Sequence, residues 1–128
     1  MGAPTPEPGA AELEVLKALW DAGPSTVRQV LDTLHARGRR LAYTTVLTFL
    51  TRLEQKGYVA SDRSGQAYIY RAKVSRERVV GSRLRAMVEQ LYDGAAGPLA
   101  LHLMESQRFT PDELEQLQKL IDRLERDA

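Results

Sequence analysis

The decisive stretch is Ala42-Tyr43-Thr44-Thr45-Val46-Leu47-Thr48-Phe49-Leu50-Thr51-Arg52-Leu53-Glu54-Gln55-Lys56-Gly57. Wound as a helix from about 43 to 56, it has a buried stripe of Val46, Phe49 or Leu50, and Leu53. The opposite face carries Tyr43, Thr44, Leu47, Thr48, Thr51 and Arg52, and Gly57 supplies the left-handed residue that closes the last turn. Four threonines in so short a helix oppose intrinsic propensity, so tertiary packing must hold it. Hydroxyls on the outer face are then available to something outside the fold.

Upstream, Leu13, Leu16, Lys17 and Trp20 fall at helical spacing, with Val15 and Leu19 as a second stripe, until Gly23-Pro24 ends the helix. Thr26-Val27-Arg28-Gln29 is a capping box in which hydroxyl and amide satisfy orphan backbone N–H groups. It opens a second helix with Val27, Val30, Leu31 and Leu34 inward, running to about Arg37 and stopped by Gly38. Downstream, 58–63 and 67–72 read as short strands joined through Ser64-Gly65-Gln66, with the glycine expected at positive φ. Period-two alternation puts Tyr68 and Tyr70 on one face and Ile69 and Arg71 on the other. Three helices followed by a hairpin is the order of a winged helix-turn-helix.

Past Ser75, the expected N-cap, a long amphipathic helix carries Val79, Val80, Leu84, Met87, Val88 and Leu91, with Gly94 and Gly97-Pro98 expected to break it. A short apolar helix through Leu99, Leu101, Leu103 and Met104 follows. Thr110-Pro111-Asp112-Glu113 then combines a capping box with proline at the first helical position, and Leu114, Leu117, Ile121 and Leu124 repeat at spacings of three and four. The expected fold class is mainly α with a small β-hairpin wing. A flexible leader at 1–9 precedes a winged helix-turn-helix DNA-binding domain at 10–73, and a helical dimerisation arm occupies 75–128.

Composition narrows function. With 128 residues there is room for one domain and an arm, and 43% hydrophobic with 27% charged residues is ordinary globular chemistry. Zero cysteines exclude disulfides, thiolate metal sites and a thiol nucleophile. No apolar run approaches the roughly 20 residues of a spanning helix and no secretory layout opens the chain, so a cytoplasmic protein without membrane insertion is expected. His35 and His102 each lack a second histidine three or four residues on, and no glycine-rich phosphate loop occurs, so no enzyme, metal or cofactor is expected. Charge is uneven beneath a net of +1: residues 26–73 hold nine cations against three carboxylates, whereas 108–128 hold four against six. A basic centre and an acidic tail suggest a polyanion for one and protein for the other.

For double-stranded DNA, Tyr43, Thr44, Thr45, Leu47 and Thr48 lie at the end of the helix that would meet base edges. Leu47 suits a thymine methyl, and the threonines suit bases or phosphates. Arg52, Arg63, Arg71 and Lys73 would follow the backbone, with Ser64 to Gln66 as the wing tip. The arm has too little local core for a monomer. Burying a leucine contributes roughly 1.5–3 kcal/mol, whereas association costs roughly 4–15 kcal/mol. Leu114, Leu117, Leu120, Ile121 and Leu124 from two chains, together with Leu99, Leu101 and Leu103, can exceed that cost. A homodimer reading a palindrome follows. The competing reading is a winged-helix adaptor whose basic module meets an acidic protein and no DNA.

The runs Ala11 to Trp20 and Ala42 to Leu53, with Lys56-Gly57-Tyr58-Val59 and Tyr68-Ile69-Tyr70, closely resemble the penicillinase-repressor family (BlaI/MecI-like) over nearly all of the chain after Gly9. The resemblance implies a dimeric transcriptional repressor on a palindromic operator near resistance or stress genes. In members controlling β-lactamase, a membrane sensor protease relieves repression by cutting the arm. The matching pair here is His102-Leu103, where those members carry Asn-Phe. Thr44 and Leu47 stand where they carry basic residues, so guanine reading there is not implied. A copper-responsive branch uses a C-terminal cysteine hook, which this chain lacks.

Overall fold

A computed structural model describes residues 7–128 and divides the chain into two compact units, one ending at Gly81 and the other comprising Ser82–Ala128. The leader expected at 1–9 lies outside the described residues up to position 6. The first unit contains α1 (Ala10–Ala22), α2 (Val27–Ala36), α3 (Tyr43–Gln55), β1 (Val59–Asp62), β2 (Ile69–Ala72) and the opening of α4 (Arg76–Tyr92).

Its core is assembled from one stripe of each element. Val15, Leu16, Ala18 and Leu19 of α1 meet Val27, Val30, Leu31 and Leu34 of α2, Val46, Leu50 and Leu53 of α3, and Val59, Tyr70 and Val79. The expected capping box of α2 forms: Gln29 N–H donates to Thr26 Oγ1 at 3.1 Å, and Thr26 N–H donates to Gln29 Oε1 at 2.9 Å. After α2 the chain turns through Gly38 at φ +82°, a left-handed conformation that only glycine adopts without steric cost. His35 Nε2 donates to the Leu41 carbonyl at 3.0 Å, clipping the basic link onto the helix before it. That bond fixes the tautomer and gives His35 a structural role.

The hairpin departs from its sequence reading in three ways. Only 59–62 and 69–72 pair, with Val59 opposite Ala72 and Asp62 opposite Ile69. Gly65 does not have positive φ; instead the Asp62 carboxylate accepts from Ser64 N–H at 2.9 Å and Ser64 Oγ at 2.6 Å, so a side chain rather than glycine shapes the turn. Tyr68 falls outside β2 and is exposed while Tyr70 is buried, because pairing stops before alternation reaches 68. Tyr70 also exchanges backbone hydrogen bonds with Ser25 at 2.8 and 2.9 Å, an isolated bridge tying the α1–α2 link to the wing.

The second unit contains the rest of α4, α5 (Ala96–Ser106) and α6 (Pro111–Asp127). Asp93 at φ +50° and Gly94 at φ +89° make the turn after α4. Gly97-Pro98 does not break a helix as expected but lies in the first turn of α5, where the missing proline N–H has no intrahelical acceptor to lose. The Thr110 box forms as read, with Thr110 N–H donating to Glu113 Oε1 at 2.8 Å and Glu113 N–H to Thr110 Oγ1 at 3.1 Å. No residue of α5 or α6 is buried.

Candidate nucleic-acid interface

α3 has two chemically opposite sides. Val46, Leu50 and Leu53 are sealed in the core, while Tyr43, Thr44, Leu47, Thr48, Thr51 and Arg52 are exposed. Thr45 is half-buried: it lies one turn before half-buried Phe49, so both flank the core stripe. Leu47 leaves 36% of its surface open and Tyr43 44%, an apolar patch between hydroxyls. Thr48 Oγ1 donates to the Thr44 carbonyl and Thr51 Oγ1 to the Leu47 carbonyl, each at 2.9 Å. With their single donors engaged, those hydroxyls present outward lone pairs and methyl groups.

The helix is anchored from behind by Glu12, a buried carboxylate on α1. Lys56, the residue closing α3, donates to its Oε1 at 2.6 Å, and Gly9 N–H donates to the same oxygen at 3.3 Å. Burial alone would raise the Glu12 pKa. The Lys56 and Gly9 hydrogen bonds and the Lys56 and Arg52 charges outweigh it and hold the carboxyl below its ordinary value of 4.5. In the wing, Asp62 is likewise held below its ordinary 3.8 by the Ser64 hydroxyl and N–H. The Tyr70 phenol is pushed above 10.0, chiefly by burial and secondarily by the Glu54 charge.

Pairing revises the charge count. Arg37 meets Asp21 at 2.8 Å, Arg39 meets Glu14 at 2.8 Å and Lys56 meets Glu12 at 2.6 Å. All three carboxylates belong to α1, outside the window that made 26–73 look strongly basic. Arg63 shares its charge with Glu54 at 3.4 Å, donates to Ser61 Oγ at 3.0 Å, and stacks on Tyr68 at 4.9 Å from the ring centre. Arg52, Arg71 and Lys73 are exposed with no ion pair among the described residues, as are Arg28 and Arg40. Gln66 is exposed on the turn between the strands.

Sequence reasoning counted Arg28 as charge and gave it no place. Its guanidinium lies over the Tyr43 ring at 5.6 Å, a contact between residues 15 positions apart that no local spacing announces. It also missed the tie between α1 and the start of α4. Trp20 Nε1–H donates to the Val74 carbonyl at 2.8 Å, Arg76 stacks on the indole at 5.4 Å, and Asp21 accepts from both Arg76 and Arg37.

Within the second unit, Leu101, Leu103, Leu114, Leu120, Ile121 and Leu124 are exposed, Leu101 at 63% and Leu124 at 59%, while Leu99 and Leu117 are half-buried. His102 and Leu103 are exposed on α5. No helix among the described residues is long and apolar enough to cross a membrane, and no cluster of metal-ligating side chains occurs among them.

Helices with a capped turn between them, a third helix outward-facing on one side, and a hairpin behind it define a winged helix-turn-helix protein. Residues 8–123 match the family model described as penicillinase repressor, and the chain belongs to that family of transcriptional repressors. It is similar to the transcriptional regulator BlaI of Mycobacterium tuberculosis strain H37Rv, with 37% identity over 119 residues, 91% of this chain and 84% of that protein. It is 21% identical over 117 residues to the penicillinase repressor of Bacillus licheniformis, covering 91% of each. The crystal structure of transcriptional regulator Tm0710 from Thermotoga maritima shares the fold at 19% identity and a TM-score of 0.51, over 94% of this chain and 79% of that one.

Proposed function

We propose that two copies of this chain bind a palindromic operator in double-stranded DNA and repress the adjoining genes, with β-lactam resistance or stress genes as the class expected from the family. Each copy places α3 in the major groove. Thr44, Leu47 and Thr48 face base edges, Arg52, Arg63, Arg71 and Lys73 face phosphates, and Gln66 lies at the minor groove. The observation that carries this reading is the outward face of α3. An exposed leucine lies between threonines on a helix locked into the core by its other side, with no acidic residue in its first turn to repel a phosphate.

The homodimer rests on the exposed leucines of α5 and α6, which the described residues leave uncovered. Cytoplasmic placement accords with a DNA ligand. Relief of repression by a membrane sensor protease cutting His102-Leu103 is the form of induction that the resemblance suggests. That bond is exposed but helical, so α5 must unwind locally before a protease can hold it extended.

The test is mobility shift of the full-length chain on a duplex it selects from a randomised library, repeated across salt concentrations. Retention should weaken with salt, with a log–log slope of about 0.9 per phosphate contact. No retention on any duplex would reject the repressor reading and leave the adaptor.

A further inference from the structure

We infer that Arg28 is a phosphate contact and that Tyr43 is the shelf positioning it, an inference that rests on the DNA-binding reading above. Arg28 sits in the first turn of α2, exposed, with its guanidinium over the face of the first residue of α3. A guanidinium held over a ring is attracted to its face electrostatically, and that contact consumes none of its five N–H donors. It can therefore stack and grip an anion at once.

Three features make duplex phosphate the fitting ligand. Arg37, Arg39 and Lys56 are each matched at 2.8 Å or less to a carboxylate of α1, whereas Arg28 has no ion pair among the described residues. The shelf residue is adjacent in sequence to Thr44 and one turn from Leu47, so an anion held by Arg28 lies beside the proposed reading face. Holding the long side chain against a ring also removes rotamers before binding, which lowers the entropy lost when phosphate arrives. Tyr43 is accordingly a positioning residue and not a base reader. Arg28 extends the interface from α3 onto α2.

The experiment measures the salt dependence of full-length variants on the library-selected duplex and on a scrambled duplex of equal length. Arg28→Ala should weaken binding about tenfold and lower the log–log slope by about 0.9 on both duplexes. Tyr43→Leu should weaken binding about two- to fivefold while the slope stays near wild type, because the charge remains. Tyr43→Phe should restore what Tyr43→Leu loses, since the ring is kept. Combined with Arg28→Ala, Tyr43→Leu should cost nothing further. Both side chains are exposed, and thermal unfolding of each variant confirms an intact fold.

An unchanged slope in Arg28→Ala overturns the phosphate contact. A Tyr43→Leu loss that persists in full without Arg28 overturns the shelf and makes Tyr43 a contact in its own right. If wild type itself retains no duplex, the DNA reading fails first; if wild type binds and the variants match it, only this inference falls.

Discussion

Leu47 is an apolar side chain on the solvent side of a helix whose other leucines are fully buried. Replacing it by alanine should lower fold stability by about 1 kcal/mol or less, well under the cost at a buried leucine. Discrimination at one thymine should fall by about 1–3 kcal/mol, and thymine-to-uracil replacement there should have the same effect. Equal tolerance of every base substitution by both proteins would remove Leu47 from the reading set. Glu12 carries the opposite kind of argument, a charge inside the head. Its folded pKa lies below its unfolded one, so the stability it contributes is fully present above the unfolded carboxylate range. That contribution is lost as pH falls through the depressed folded value, in the window beginning near 4.5. Glu12→Gln should cost about 1–3 kcal/mol at neutral pH, and the gap between the two proteins in urea melts should narrow as the buffer is taken from pH 6 to pH 3. A gap that stays constant would show that the Lys56 contact contributes no net stability.

Among the elements, α3 is held by tertiary contacts more than by its own threonine-rich backbone. Leu50→Ala should therefore destabilise the whole head by about 2–5 kcal/mol in chemical unfolding. A loss under 1 kcal/mol would mean that the helix stands by local propensity. The same element shows what sequence makes legible. Val46, Leu50 and Leu53 were readable because helical period and burial coincide, and the Thr26 and Thr110 boxes because both partners lie within four residues. The failures are of two kinds, local choices that spacing leaves open and contacts between residues far apart in sequence. Gly65 reads as the turn residue, but the Asp62 carboxylate takes over; Tyr68 reads as sharing a strand face with Tyr70, but the strand begins one residue later; Gly97-Pro98 reads as a break and lies inside the first turn of α5. The Ser25–Tyr70 bridge and the Arg28–Tyr43 stack join residues 45 and 15 positions apart, and neither leaves a mark in a local window.

For the molecule as a whole, charge counted along a window misleads, because α1 supplies the carboxylates that neutralise Arg37, Arg39 and Lys56. The free positive charge is concentrated in fewer residues than the composition implied, which sharpens the list of phosphate contacts. The second unit has the reverse feature, an excess of uncovered leucine. Ile121→Asp with Leu124→Asp, both exposed in the single chain, should leave helix content unchanged and yield monomers in sedimentation velocity; a dimer that survives both would place the interface elsewhere. The most direct test of the central claim is a methylation-protection footprint of the full-length chain on its selected duplex. Two copies each presenting α3 should protect two major-groove patches centred about 10–10.5 base pairs apart or a multiple of that, and both patches should vanish together in Thr44→Ala/Leu47→Ala/Thr48→Ala. A single patch, or protection that survives the triple substitution, would contradict it.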